Sequence, residues 1–179
     1  MKNGLSFKGF FVSGKSEPMV YNGKTYYNVE MSDGDHTYNN VRVGSDQFGK
    51  GIFDKLQEFE VLYDGIFQYN RGNLVLVDIV ESKFSDPVPG LSIEGIRCSA
   101  IPSYEHVSKK DGLTYYSATF SDGVKSFSIL LGSGDEGKKL RDSLKLRQLY
   151  SGSVIYLQND NGKFLLAQEL RPYKVDKNK

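Results

Sequence analysis

Cysteine, histidine and tryptophan are nearly absent from this chain of 179 residues. It contains one cysteine, two histidines and no tryptophan. A single cysteine excludes an intrachain disulfide, and we expect the thiol of Cys98 to be buried as a small hydrophobic group. With so few sulfur and imidazole ligands and no His/Cys cluster, the sequence predicts that the chain holds no metal and no cofactor.

Long hydrophobic runs and a strong excess of either charge are also missing. No stretch approaches the roughly 20 apolar residues that span a bilayer, and residues 1–15 lack the apolar segment of a signal peptide. The net charge is +1 overall, with −2 over residues 1–83 and +4 over 91–179. We therefore expect a cytoplasmic protein (of the host cell, if a phage encodes it), whose second half attracts phosphates more strongly.

Aromatic residues, in contrast, are abundant. They make up 13% of the chain, with 12 tyrosines and 11 phenylalanines. Tyrosine combines an apolar ring with a polar tip, which suits a binding surface. Strand-rich proteins favour both residue types in any case, so composition leaves a binding surface and an ordinary β-rich core as equal alternatives.

The sequence repeats itself in order. Gly-Lys-Thr-Tyr-Tyr at 23–27 returns as Gly-Leu-Thr-Tyr-Tyr at 112–116, and Ser-Asp-Gly at 32–34 returns at 121–123. We interpret this self-similarity as a gene duplication. The predicted organisation is a first repeat at 1–83, a Pro-rich linker at 84–90, a second repeat at 91–171 and a basic tail at 172–179.

The spacing of apolar residues in each repeat predicts three strands, one helix and two further strands, because these residues alternate along the strands and recur three and four positions apart in the helix. The predicted strands lie at 5–12, 24–31, 37–43, 59–69 and 74–80, and again at 91–98, 113–120, 125–131, 153–158 and 163–170. This is the element order of the OB fold, a partly open Greek-key barrel. The sequence therefore predicts a mainly β protein of two tandem OB-fold five-stranded barrels, each with one helix between strands 3 and 4. Sm-like barrels are the main alternative, but they usually place a helix first or have none at this point.

In its topology and duplication, the chain resembles tandem OB-fold single-stranded-DNA-binding proteins, particularly the replication proteins of phages and plasmids. The resemblance covers nearly the whole chain. It implies single-stranded DNA as the partner, with RNA as an alternative ligand, and replication or recombination proteins as further partners. An oligomer is compatible with this class. The basic tail departs from the acidic tail through which bacterial members recruit other proteins.

The pleat of the strands predicts which side chains face a ligand. In the second predicted strand Tyr27 belongs to the apolar set, so Tyr26 faces outward. In the third, Val41 points inward, so Tyr38 and Arg42 face outward. OB folds bind ligands on this face, where tyrosines can stack on bases and an arginine can pair with a phosphate.

Further candidates flank this face or occupy matching places in the second repeat. They are lysines, arginines and two tyrosines: Lys15, Lys24, Arg71, Arg97, Tyr104, Lys109, Lys110, Tyr115, Lys125 and Lys163. Each has a plain alternative, because a surface lysine can be merely solvated and an exposed tyrosine can simply cover a hydrophobic neighbour. In the second repeat the third strand leaves Ser126 and Ser128 outside, so we expect weaker stacking and a larger role for charge there.

Two segments, 44–50 and 132–138, have the Gly-x-x-x-x-Gly-Lys spacing of a phosphate-binding loop. The next position holds a magnesium-binding Ser or Thr in such loops, but here it is Gly51 or Lys139. We interpret both segments as glycine-rich turns from strand to helix. No carboxylate cluster of the kind that a hydrolase needs is apparent, so we expect no enzymatic activity.

These observations favour a protein that binds single-stranded DNA without sequence preference and coats it in replication or recombination. The alternative is an OB-fold module for protein–protein interaction or structure, without nucleic-acid binding. The near-zero net charge favours this alternative, whereas outward-facing tyrosines beside an arginine favour nucleic acid.

Overall fold

The computed structural model describes residues 4–102, 105–160 and 162–174. In the first half the elements are β1 (Leu5–Lys15), β2 (Met19–Tyr21), β3 (Lys24–Ser32), β4 (Thr37–Ser45), α1 (Asp46–Lys55), β5 (Leu62–Asn70) and β6 (Asn73–Glu81). In the second half they are β7 (Val88–Ala100), β8 (His106–Val107), β9 (Thr114–Ser121), β10 (Ser126–Ser133), α2 (Gly134–Ser143), β11 (Leu149–Asn159) and β12 (Gly162–Pro172).

Each half closes into a barrel with the same strand order. In the first, β1 pairs with β3 and β5, β3 with β4, β4 with β6 in parallel, and β6 with β5. In the second, β7, β9, β10, β12 and β11 form the corresponding ring, with β10 and β12 parallel. The chain is therefore mainly β, with OB-type barrels and a helix between the third and fourth barrel strands, as predicted.

The chain divides into two compact units. One contains residues 4–91 together with 158–163, and the other contains 92–157 and 164–174. The predicted linker is engaged with the first of these units: the N–H of Gly90 donates a 2.8 Å hydrogen bond to the Asp33 carboxylate. The duplication and the boundaries drawn from it remain predictions.

Buried alternate residues of the strands fill each barrel. Tyr27 in β3 and Tyr116 in β9 are buried, whereas Tyr26 and Tyr115 are half-buried, so one tyrosine of each pair lies in the core as predicted. Burying a large apolar side chain contributes about 1.5–3 kcal/mol. Cys98 is fully buried, again as predicted, and its burial raises the pKa of the thiol.

The phosphate-loop spacing is a packing feature. The first turn of α1 lies directly against the end of β4: a Cβ added to Gly49 would come 2.6 Å from the carbonyl oxygen of Gly44. The same distance separates a Cβ on Gly137 from the Gly132 oxygen at the start of α2. Gly44 has φ +146 and Gly132 φ +122, which favours glycine. The interpretation of both segments as strand-to-helix turns is thus confirmed.

Two segments that lie between predicted strands contain short strands that were not predicted. The first, at 13–22, includes β2, which pairs with β3 through a turn at Asn22 and Gly23 with φ of 49° and 73°. Positive φ at both turn residues is typical of tight hairpins, and Asn-Gly is their strongest short signal. The second, at 99–111, includes β8, which pairs with β9. Among the described residues no helix has the length and apolarity needed to cross a membrane.

Candidate nucleic-acid interface

An open face on β2 and β3 carries the first candidate site. Met19 lies opposite Tyr26 and Tyr21 opposite Lys24 in the antiparallel register. Because alternate strand residues point the same way, these four side chains share one face. Met19 is 56% exposed and Tyr21 66% exposed, so this face presents two large apolar side chains to solvent next to the predicted stacking residue.

Arg42 covers the ring of Tyr26. The carbon at the centre of its guanidinium lies 4.6 Å from the ring centroid, a cation–π contact. The Nε of Arg42 is buried and has no hydrogen-bond partner among the described residues. No described carboxylate forms an ion pair with Arg42 either. An unpaired buried donor costs about 1–3 kcal/mol, so this guanidinium has unused capacity to bind an anion.

The prediction that Tyr38 faces outward is wrong. Tyr38 is fully buried, and the centroid of its ring lies 5.1 Å from that of the Phe10 ring. The reason is a β-bulge at residues 39–40, where Asn40 has φ +55. One residue of β3 opposes two of β4 at this point, which reverses the alternation, and Tyr38 joins Val41 in the core.

Tyr38 supports a turn through Asp33. Its hydroxyl donates a 2.6 Å hydrogen bond to the Asp33 carboxylate, which also accepts the N–H groups of Asp35, His36 and Gly90. Burial alone would raise the pKa of Asp33, but these hydrogen bonds outweigh it, and the pKa lies below its ordinary value. Burial and the adjacent carboxylate raise the pKa of Tyr38. This network is structural and leaves Tyr38 no role as a base-stacking residue in the described conformation.

The second barrel presents Tyr115 on the corresponding face. Tyr115 lies opposite His106 of β8 and Ser133 of β10. Its hydroxyl donates a 2.6 Å hydrogen bond to Asp111, which lowers the pKa of that carboxyl and raises the pKa of the Tyr115 hydroxyl. Leu130 stands where Arg42 stands in the first barrel, because it pairs with the matching residue of β9. No cationic side chain of the described residues covers the Tyr115 ring.

The basic candidates near the first face differ in their availability. Lys24 and Arg71 are exposed, at the start of β3 and in the turn between β5 and β6. Lys15 is tied to α1: its ammonium donates a 2.6 Å hydrogen bond to the Phe53 carbonyl and lies 4.8 Å from the Phe53 ring centroid. Among the described residues, the charged groups of Lys24 and Arg71 therefore have no hydrogen-bond or ion-pair partner, whereas that of Lys15 has one.

Most of the basic candidates of the second repeat lie at opposite ends of β9. Lys109 and Lys110 are exposed in the turn that leads into β9, close to Tyr115 in sequence. Arg97 and Lys125 are exposed at the opposite end of β9, where Arg97 pairs with Ser121. Six residues of strand at roughly 3.3 Å each put that end about 20 Å from Tyr115.

The two remaining candidates are Lys163 and Tyr104. The ammonium of Lys163 donates a 2.9 Å hydrogen bond to the side-chain oxygen of Asn73, and both residues belong to the unit built on residues 4–91. Tyr104 lies outside the described residues, as does the basic tail beyond Lys174. No group of three or more His, Cys, Asp or Glu side chains suited to a metal ion occurs in the part of the chain that the structure describes.

Sequence reasoning missed Met19 and Tyr21. Both lie between the first two predicted strands, where no strand was predicted. The Asn-Gly pair after Tyr21 was the available signal, because it predicts a two-residue hairpin and hence a strand on each side. With β2 recognised, the pleat would have placed Tyr21 on the same face as Tyr26.

Comparison with solved structures finds the same fold in proteins of low sequence identity. The chain is similar to the single-stranded DNA binding protein from Thermus aquaticus, with a TM-score of 0.55 and 9% identity over 99% of this chain and 96% of that one. A deletion mutant of that protein gives a TM-score of 0.52 and 10% identity over 98% and 96%. At these identities the likeness shows the fold alone. No family model and no curated protein sequence matches the chain.

Proposed function

We propose that this protein binds single-stranded DNA without sequence preference and coats it during replication or recombination. One observation carries the proposal: a half-buried tyrosine, Tyr26, meets a guanidinium with unused donor capacity on an open strand face of an OB barrel. No catalytic step is part of the proposal, since the site offers stacking surfaces and cations rather than a nucleophile with a base.

The chemistry of this face suits any base. Every base has a π-face, so stacking on an aromatic ring contributes about 1–3 kcal/mol per base with little sequence preference. Tyr26 and the exposed Tyr21 supply two rings on one face, and Met19 adds an apolar surface beside them. Arg42 and the exposed Lys24 supply the cations for phosphate. The face therefore has both components of a single-strand site.

The second barrel supplies a weaker version of the same site. Tyr115 offers a ring, and Lys109 and Lys110 offer charge, but the arginine position is taken by Leu130. Two linked sites of modest affinity bind one strand more tightly than either alone, because the second contact forms at high effective concentration. Binding by both barrels is therefore part of the proposal, with the first barrel as the stronger stacking site.

The comparisons support this assignment at the level of fold. The Thermus aquaticus protein with the same fold is named as a single-stranded DNA binding protein, and the likeness spans nearly the full length of both chains. A phage or plasmid origin, a cytoplasmic location and partners in replication belong to the proposal through the family resemblance of the sequence.

Fluorescence anisotropy of a labelled oligo-dT, measured at two salt concentrations, tests the proposal. We expect binding that salt weakens, and about a 5- to 150-fold loss of affinity for Tyr26→Ala, which corresponds to 1–3 kcal/mol of stacking. Phe84→Ala is the matched control, because Phe84 is an exposed aromatic outside both faces. Absence of binding at low salt would reject the proposal and favour the protein-interaction module.

A further inference from the structure

The contact between Arg42 and Tyr26 covers one face of the tyrosine ring. With the guanidinium 4.6 Å from the ring centroid, that face of the ring is occupied. A base can stack there only after Arg42 has moved. In the described conformation the site that carries the proposed function is therefore closed on that face of its central ring.

Arg42 has few fixed partners for a charged side chain that is partly buried. Its Nε has no hydrogen-bond partner and its guanidinium no ion pair among the described residues. The second barrel has a contrasting pair, in which Arg141 lies over the Tyr116 ring at the same 4.6 Å. There Glu105 and Asp142 lie 3.8 Å and 3.3 Å from the guanidinium, and Tyr116 is buried. Arg141 is locked by carboxylates, whereas Arg42 is not.

A phosphate is the ligand that can release Arg42. Phosphate oxygens accept two parallel N–H bonds from a guanidinium, an arrangement stronger than a cation–π contact. No carboxylate of the described residues competes for that fork. A phosphodiester that approaches the face therefore offers Arg42 the partner it lacks and draws it away from the ring.

We propose that Arg42 is a phosphate-operated gate on Tyr26: a backbone phosphate engages the guanidinium, the ring is uncovered, and a base then stacks on it. This inference rests on the proposed function and adds the order of events, in which the phosphate contact precedes base stacking. Phosphate contact and base stacking become positively coupled, so the site favours a continuous strand over free nucleosides or other flat aromatic molecules. Arg42 is thus a specificity-determining residue.

The absence of tryptophan makes the gate directly measurable. Tyr26→Trp gives the chain a single tryptophan, whose quenching by acrylamide reports access to the ring. We expect an abasic phosphodiester oligomer to increase quenching and oligo-dT to decrease it. With Arg42→Gln added, quenching is already high in the free protein, and the abasic oligomer no longer increases it. Tyr115→Trp is the matched control, because no described cation covers that ring and the abasic oligomer has nothing to open.

A second measurement uses the tyrosine-containing chain and does not depend on the tryptophan variant folding. The ¹⁵Nε–¹Hε resonance of Arg42, assigned by its loss in Arg42→Gln, shifts when the abasic oligomer binds. The same substitution lowers the slope of log K against log salt for oligo-dT by about 0.7, the value for one phosphate contact on a single strand.

The two hypotheses fail in different ways. If oligo-dT binds but the abasic oligomer changes neither the quenching nor the Arg42 resonance, the gate is wrong and the proposed function stands. The gate is also wrong if Arg42→Gln leaves the quenching of the free Tyr26→Trp protein unchanged. If neither oligomer binds, the proposed function itself is wrong and the gate is rejected with it.

Discussion

The hydroxyl of Tyr38 donates a 2.6 Å hydrogen bond to the carboxylate of Asp33, and both side chains are fully buried. The register of the second barrel places Phe127 at the position of Tyr38, since Phe127 pairs with Phe120 as Tyr38 pairs with Met31. A phenylalanine therefore fits this position in a barrel of the same kind, but without the hydroxyl.

Tyr38→Phe tests this bond without changing the packing of the ring. We expect the free energy of unfolding to fall by about 1.5–3 kcal/mol, the usual contribution of a hydrogen bond to a charged group. Oligo-dT affinity remains unchanged, because Tyr38 does not reach the face of β2 and β3. Urea denaturation and anisotropy measure the two effects. Tyr27→Phe, in the same core, is the control. A loss of oligo-dT affinity in Tyr38→Phe would contradict the buried placement.

Asp33 makes the stability of the first barrel sensitive to acid. Its folded pKa lies below the ordinary value of 3.8, so the ionised carboxylate stabilises the fold at pH values above about 3.8, and this contribution is lost as the pH falls through the folded pKa. Asp33→Asn should therefore lower the free energy of unfolding by about 1–3 kcal/mol at pH 7. The difference from the unmodified chain should shrink below pH 3.8.

Urea titrations at several pH values from neutral downwards check this dependence. Asp122→Asn is the matched variant, because among the described residues only the N–H groups of Val124 and Lys125 donate hydrogen bonds to that carboxylate. A difference for Asp33→Asn that stays constant from pH 7 to below 3 would show that the ionisation of Asp33 is not responsible.

Two glycines in α1 respond oppositely to alanine. A Cβ on Gly49 meets the backbone of Gly44, whereas a Cβ on Gly51 meets no atom within 4 Å. Gly49→Ala should destabilise the fold by at least about 1–3 kcal/mol, as overpacking does. Gly51→Ala should stabilise it by roughly 0.5–1 kcal/mol, because alanine is the better helix former. Thermal denaturation distinguishes the signs, and equal effects would contradict the close approach of α1 and β4.

Tyr115 offers a test that separates its ring from its hydroxyl. If stacking is its role, Tyr115→Phe binds oligo-dT as well as the unmodified protein, because only the exposed bond to Asp111 is lost. Tyr115→Ala weakens binding by up to about 1–3 kcal/mol. Competition anisotropy measures both. Equal losses for the two variants would assign the contribution to the hydroxyl and exclude stacking.

Lys109 and Lys110 should contribute through charge alone. Replacing both with glutamine lowers the slope of log K against log salt by about 1.4, at about 0.7 per phosphate contact on a single strand. The matched control is Lys138→Gln with Lys139→Gln, two exposed lysines on α2. A slope that is the same for both pairs of variants would mean that residues 109–110 are merely solvated.

The pattern of side chains along the chain determined the class of fold. Alternation with a period of two gave the barrel strands, a short segment with helical spacing gave the helix position, and the order of these elements predicts an OB barrel. The same alternation correctly placed Tyr27 and Tyr116 inside. These predictions succeed because they depend only on which side chains are buried. In a strand, residues two positions apart share a face, so the local sequence is enough to show which face is apolar.

What the sequence could not provide was decided by contacts between distant residues. One inserted residue in β4 reversed the alternation and buried Tyr38, and only pairing with β3 reveals that bulge. The cover of Arg42 over Tyr26 joins residues 16 positions apart on neighbouring strands. Lys15 and Lys163, equally basic in sequence, turned out to have carbonyl or amide partners. Charge and hydrophobicity belong to single residues, whereas the side a strand residue faces and the partner a cation finds depend on register, which only the folded barrel fixes.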